Sequence, residues 1–321
     1  MNLSHETKRK LLGFTFLIPY LLGFLMFFAV PLVQSIWYSW HDVKVTANGL
    51  KMTWVGWENY RYLFQSDTVF VEQLSNFFQD SILRLAVILV FSLVIAMMLN
   101  QPLKGKGVFR TLFFLPIIVV SGPVLERLVN EGATAVPLIE SYGVNGIVEA
   151  MLPPMLARPL SGLFSQLILV LWYSGVPILI YMTGLQKIDS TLYEASMIDG
   201  ANGWVSFWKI TLPALRPMIL INGVYIMVFL ATTGLNEVMG TINDRMFRSG
   251  EPGGGYGIAS AMAWVYALSL GLALIVLLLI TKERKGKQIA IQKTGEQIAI
   301  ERMHAERAKN MKRKGGKRRG R

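Results

Sequence analysis

Six long, nearly uncharged apolar runs constrain this chain more than any other feature. They cover Leu11 to Tyr38, about Ile82 to Leu99, Thr111 to Leu125, Leu160 to Leu185, Met218 to Gly240 and Gly257 to Thr281. A bilayer core of about 30 Å needs roughly 20 residues at about 1.5 Å of rise each, so most of these runs are long enough to cross one. The third is the shortest, because Glu126 and Arg127 close it early. The first is too long for the apolar part of a signal peptide and lacks a small-x-small cleavage site, so it reads as a retained helix. With 53% hydrophobic and 16% charged residues and a mean hydropathy of +0.43, the chain is too apolar for an ordinary soluble domain. The expected fold is all-α: a polytopic membrane protein with six transmembrane helices.

The formal net charge of +12 could suggest a nucleic-acid partner, but its placement argues otherwise. Residues 282–321 hold 15 basic and 4 acidic residues, which leaves a nearly neutral body of 17 and 16. No specific nucleic acid is expected as a partner. The tail reads either as a solvated topogenic segment or as a cluster attracted to anionic membrane lipid. With residues 1–10 and the tail on the cytoplasmic side, 24 of the 32 basic residues lie inside, which favours a multi-pass protein of the cell membrane with both termini cytoplasmic. Zero cysteines exclude a thiolate nucleophile or a Cys-ligated metal, and His5, His41 and His304 all lie outside the apolar runs, so no metal site is expected.

Between the fourth and fifth runs lies a polar loop, 186–217, that reads LQKIDSTLYEASMIDGANGWVSFWKITLPALRP from Leu185. A helix start is encoded at Asp189, or at Thr191 with Glu194 completing a capping box. Gly200 then breaks the helix. A second helix from Asn202 presents Trp204, Phe207 and Trp208 on one face, and Pro213 is expected to end it. Pro217 suits the first turn of the next membrane helix.

The spacing Glu194-Ala195-Ser196, three residues, Gly200, nine residues, then Ile210-Thr211-Leu212-Pro213 resembles the EAA loop (EAA-x3-G-x9-I-x-LP) of ABC-importer membrane subunits. Ser196 for the second alanine is the one departure. Other stretches are similar to the maltose and glycerol-phosphate type permeases: the first run with Pro19 and Pro31, Trp54-Val55-Gly56-Trp57-Glu58-Asn59-Tyr60, the basic turn Pro102 to Gly107, and Gly257 to Trp264. Residues 131–158 and 243–255 depart from the family pattern.

The resemblance implies a type I importer permease fold over residues 11–281, a cytoplasmic N-terminus 1–10 and the basic tail 282–321. It implies no catalysis by this chain, which lacks a G-x4-G-K-[ST] phosphate loop; ATP and Mg would be bound by two partner ATPase subunits docked on the loop. The implied coupling residues are Glu194, Ala195, Ser196, Asp199, Gly200, Ile210, Leu212 and Pro213. Other implied partners are a second homologous permease in a heterodimer, an extracytoplasmic solute-binding protein, and a sugar or oligosaccharide as substrate.

A solute path needs polar groups inside the bundle, where they are costly unless they line a cavity or bond to one another. Candidates are Trp172, Tyr173 and Gly175 in the fourth run and Asn222, Thr232, Thr233 and Asn236 in the fifth, with 232/236 and 233/237 expected as helical i, i+4 pairs. Each of these could equally serve interhelical packing. Glycerol phosphate or another polar solute is the alternative cargo. A secondary transporter or channel is the alternative class.

Overall fold

The computed structural model describes residues 5–46, 49–101, 143–154, 167–248 and 253–281, with isolated positions between. Its backbone divides into Met1–Leu277 and Leu278–Arg321, and of the second unit only the last four residues of the final helix are described. The expected third run and the tail therefore lie outside the described residues, apart from Thr111.

Helix α1 (His5–Phe24) passes through Pro19 into a π turn, Leu25–Ala29, and continues as α2 (Val30–Ser39). The wide turn stands just before Pro31, which has no N–H to give. Next comes a β-hairpin that sequence reading did not anticipate: β1 (His41–Thr46) pairs antiparallel with β2 (Gly49–Trp54), setting His41 against Trp54 and Val43 against Met52. Helix α3 (Glu58–Gln65) leads into α4 (Thr68–Asn100), 33 residues long. The expected span began only at Ile82. At about 1.5 Å per residue α4 is nearly 50 Å long, more than a bilayer core needs, so its charged first half can stand clear of lipid.

After α5 (Val144–Met151), α6 (Leu167–Tyr173) and α7 (Gly175–Leu185) form the described part of the expected fourth span. The backbone bonds Ser174 N to Val170 O (3.1 Å) and Ile178 N to Ser174 O (2.9 Å) carry the chain across the junction. The loop contains α8 (Ser190–Ile198), α9 (Gly203–Ser206), a second π turn (Phe207–Thr211) and α10 (Leu212–Ala214). Pro213 thus does not end the second loop helix as expected. The π turn absorbs the missing donor, with Leu212 N bonding back to Phe207 O, and the proline takes an early position in α10 where no donor is required.

The fifth span also differs from expectation. It runs as α11 (Arg216–Thr232), breaks, and resumes as α12 (Glu237–Phe247). Thr232/Asn236 and Thr233/Glu237 are therefore not i, i+4 pairs, because Asn236 caps a new helix instead of continuing the old one. Helix α13 (Tyr256–Thr281) is the last described element. Four described segments are long and apolar enough to cross a bilayer: 14–39, 68–100, 216–247 and 256–281.

Helix α4 ties the bundle together through three buried clusters. Phe70 joins Leu63, Val238, Met262 and Tyr266. Ile88 meets Leu169, Tyr173, Ile226 and Leu230. Leu93, Ala96 and Leu99 pack with Ile178, Tyr181, Met182 and Leu215. Where α7 crosses the start of α11, Gly184 is needed: a Cβ there would stand 2.6 Å from Met218 Cγ and 2.8 Å from Leu215 Cδ2.

Candidate functional site

The loop between α7 and α11 is built by two side-chain caps. Asp189 accepts from Thr191 N at 3.0 Å and starts α8, so the start at Asp189 is used and Glu194 is left out of the cap. That bond, reinforced by the Thr191 hydroxyl, holds the exposed Asp189 carboxyl below its ordinary range. Asn202 accepts from Val205 N at 2.9 Å and starts α9. Between the caps, Gly200 adopts φ +80°, the left-handed conformation that closes a helix.

The two arms are joined by side chains. Tyr193 and Thr211 share a hydrogen bond of 2.8 Å, and the Ser196 and Ser206 hydroxyls lie 3.1 Å apart. Ser196 also donates to Tyr193 O at 2.8 Å, so the residue that replaces an alanine of the EAA pattern has polar partners on both arms. Glu194, Ala195 and Asp199 are exposed, as are Leu192, Met197 and Ile198, the last at 88%. Trp204, Phe207 and Trp208 do come together, with ring centroids 5.2–6.2 Å apart, and Trp204 and Trp208 face outward. Ile210 and Pro213 are half-buried; Leu212 packs onto the Leu99–Leu215 cluster. A cleft of about 300 Å³, lined by Met97, Asn100, Leu185, Tyr193, Ser206 and Thr211 among others, lies between α8 and the end of α4.

The solute-path candidates occupy two levels of the bundle. At the first, Tyr173 is buried edge-on against Phe229 (5.1 Å), which stacks on Tyr225, while Trp172 is half-buried nearby. Asn222 is fully buried and donates through Nδ2 to Pro177 O at 3.3 Å. Its Oδ1 lies near the Tyr181 hydroxyl but has no partner in hydrogen-bond geometry. Gly175 is buried at the α6–α7 junction.

At the second level, Asn236 is tied into the break between the helices. It caps α12 through Val238 N (3.0 Å), donates to Ala231 O (2.9 Å) and meets the Tyr266 hydroxyl (2.6 Å), which itself donates to Ala231 O (2.9 Å). Asn236 therefore holds the α11–α12 break together, with both amide hydrogens engaged and one Oδ1 lone pair remaining. Thr232 is exposed, its hydroxyl bonded back to Val228 O at 2.9 Å; Thr233 is half-buried. Tyr266 was missed in the sequence, although a lone phenol in an otherwise apolar run signals a buried hydrogen-bond partner. Tyr193, Ser206 and Thr211 were missed as well, because ordinary hydroxyls in a polar loop carry no spacing signal.

No family model matches the chain. Among curated proteins, it is 34% identical over 226 residues to the multiple sugar-binding transport system permease protein MsmF of Streptococcus mutans, covering 66% of this chain and 73% of that one. It is 32% identical over 223 residues to the probable ABC transporter permease protein YesP of Bacillus subtilis, with 67% and 68% covered. The trehalose/maltose transport system permease protein MalF of Thermococcus litoralis matches at 29% over 278 residues, 83% of this chain and 87% of that one. Among solved structures, a bacterial ABC transporter that imports the acidic polysaccharide alginate superposes with a TM-score of 0.61 at 19% identity, over 86% of this chain and 96% of that one. The fold and these relatives together lead to one conclusion: the chain belongs to the family of ABC-transporter sugar permeases.

Proposed function

We propose that this chain is a membrane-spanning half of an ATP-driven importer and moves a sugar or oligosaccharide handed over by an extracytoplasmic binding protein. The reading is carried by loop 186–217, a doubly capped helix-turn-helix that leaves Glu194, Ala195, Met197 and Ile198 exposed beside Trp204 and Trp208. Exposed aromatic and aliphatic side chains next to a small residue suit a protein groove. Two ATPase subunits, each carrying ATP and Mg, would hold this loop and its counterpart on a second permease in the heterodimer. Their closure would move α11 through the π turn and α10.

In this reading Trp172, Tyr173, Gly175, Asn222, Thr232 and Thr233 border the solute path. The aromatic faces around Tyr173 and Phe229 suit the CH face of a sugar, and the unpartnered Oδ1 of Asn222 is an acceptor for a hydroxyl. Asn236, which shapes the α11–α12 break, borders the same path with its remaining Oδ1 lone pair. Relatives named for multiple sugars and for trehalose/maltose support this substrate class.

Gly200→Asp tests the coupling role. A Cβ at Gly200 meets nothing within 4 Å, and Asp adopts left-handed backbone more readily than most residues, so the loop should fold and the protein insert. Transport should be lost because the new charge sits on the docking face. Wild-type uptake by this variant would sink the assignment.

A further inference from the structure

Helix α8 has little of its own to push against. It packs extensively on no other described element, and it borders a cleft of about 300 Å³ beside the end of α4. Two side-chain bridges tie it to the second arm of the loop. Tyr193 reaches from the middle of α8 to Thr211, which is buried at the last position of the π turn. One turn along α8, Ser196 meets Ser206, buried at the end of α9. Because Tyr193 and Ser196 are three residues apart, they lie on one face of the helix, while Leu192 and Ile198 point elsewhere and are exposed.

We infer that Tyr193, Ser206 and Thr211 form, with Ser196, a hydrogen-bonded clamp that makes the two arms of the loop one rigid lever, carrying motion of α8 into α11. This rests on the docking role proposed above for the loop. Thr211 is well placed for such transfer: Leu215 N donates to Thr211 O at 3.0 Å, and Ile219 N, already inside α11, donates to Leu215 O at 2.9 Å. A push received at Tyr193 thus enters the backbone ladder of α11 within two turns. The π turn, one residue wider than an α turn, is the deformable step at which this lever could otherwise give way. These residues are positioning residues, since none of them touches the solute.

The test uses the assembled transporter in lipid, comparing solute moved per ATP hydrolysed in Tyr193→Phe, Thr211→Val, the double variant and Thr211→Ser. Tyr193→Phe keeps the ring and Thr211→Val keeps the shape, so each removes chiefly the hydrogen bond. Each single variant should lower the transport-to-hydrolysis ratio by about fivefold, the factor that one neutral hydrogen bond typically carries. The double variant should be no worse than either single one, and Thr211→Ser, which retains the hydroxyl, should behave as wild type. Co-purification of the ATPase should be normal throughout. An unchanged ratio in Tyr193→Phe, multiplied losses in the double variant, or lost ATPase binding in Tyr193→Phe would each overturn the clamp. Failure of the docking role itself looks different: Gly200→Asp would then transport normally. A failed clamp leaves Gly200→Asp inactive and Tyr193→Phe fully coupled.

Discussion

The hairpin end and the loop end of this bundle are built on opposite principles. At the hairpin end, polar groups are buried and tied to one another. Asn59 Nδ2 donates to Ser39 O (2.9 Å) and His41 O (3.0 Å), and Tyr60 donates to Ser39 Oγ (2.8 Å). Asp67, with its side chain 1% exposed, both caps α4 through Phe70 N and pairs with Arg245 at 3.0 Å. Backbones approach so closely there that a Cβ on Gly257 would collide with His41 O, and one on Gly254 with Arg248 O. The loop end instead keeps its apolar side chains outside and closes on itself through hydroxyl contacts. The first arrangement specifies one packed geometry. The second keeps an element coherent while leaving its outer surface for another protein, which is what a transmission part requires.

The sharpest way to break this comparison is at Asp67. Asp67→Ala removes an N-cap and leaves the Arg245 guanidinium, itself only 22% exposed, without its carboxylate. Losing one partner of a buried pair costs about 3–5 kcal/mol, and Arg245's partial exposure together with its remaining bond to Gly253 O (3.2 Å) places the expectation near the lower figure. Thermal unfolding of the purified protein in detergent should show a clearly lowered midpoint. A midpoint within a degree of wild type would mean that the hairpin end is not held by this pair.

At the loop end, Ile198→Ser should do the reverse. Ile198 is 88% exposed, so removing its side chain should change stability by no more than about 0.5 kcal/mol. Retention of the ATPase subunits on affinity-tagged permease should nonetheless fall, since a half-buried or exposed aliphatic is worth most where a partner covers it. Equal retention combined with a lowered unfolding midpoint would erase the contrast between the two ends.

Much of this was legible in the sequence, for identifiable reasons. Apolar length marks spans, and Asp189, Gly200, Asn202 and Pro217 each act through local backbone chemistry that spacing reveals. The start of α4 was hidden because Glu72 and Asp80 read as loop, whereas a helix can carry charge once it leaves lipid. The hairpin was overlooked although Val43, Val45, Leu50, Met52 and Trp54 alternate around Asn48-Gly49, a pattern that favours paired strands. The break between α11 and α12 could not be read at all. Thr232, Thr233 and Asn236 suit a helical stripe as well as a cap, and only the contact with Tyr266, 30 residues away, decides between them. Tertiary partners of that kind have no signature in local spacing.

The smallest expected effect sharpens the contrast through pH. The Asp189 carboxyl is held below its ordinary range chiefly by the Thr191 backbone N–H and next by the Thr191 hydroxyl, so the bonds favour its charged form. A carboxylate whose folded pKa is depressed contributes fully above its unfolded value, near about 3.9, and the contribution fades as pH falls through the lower folded value. Exchange of the α8 amides should therefore be flat from neutral pH down to about 5 and accelerate relative to the α4 amides only below about 4. In Asp189→Asn, which can still accept from Thr191 N, that acid step should disappear while the neutral-pH protection largely persists. If the acid step survived in Asp189→Asn, the cap would not be the group that titrates, and the start of α8 would have to be held by contacts other than this cap.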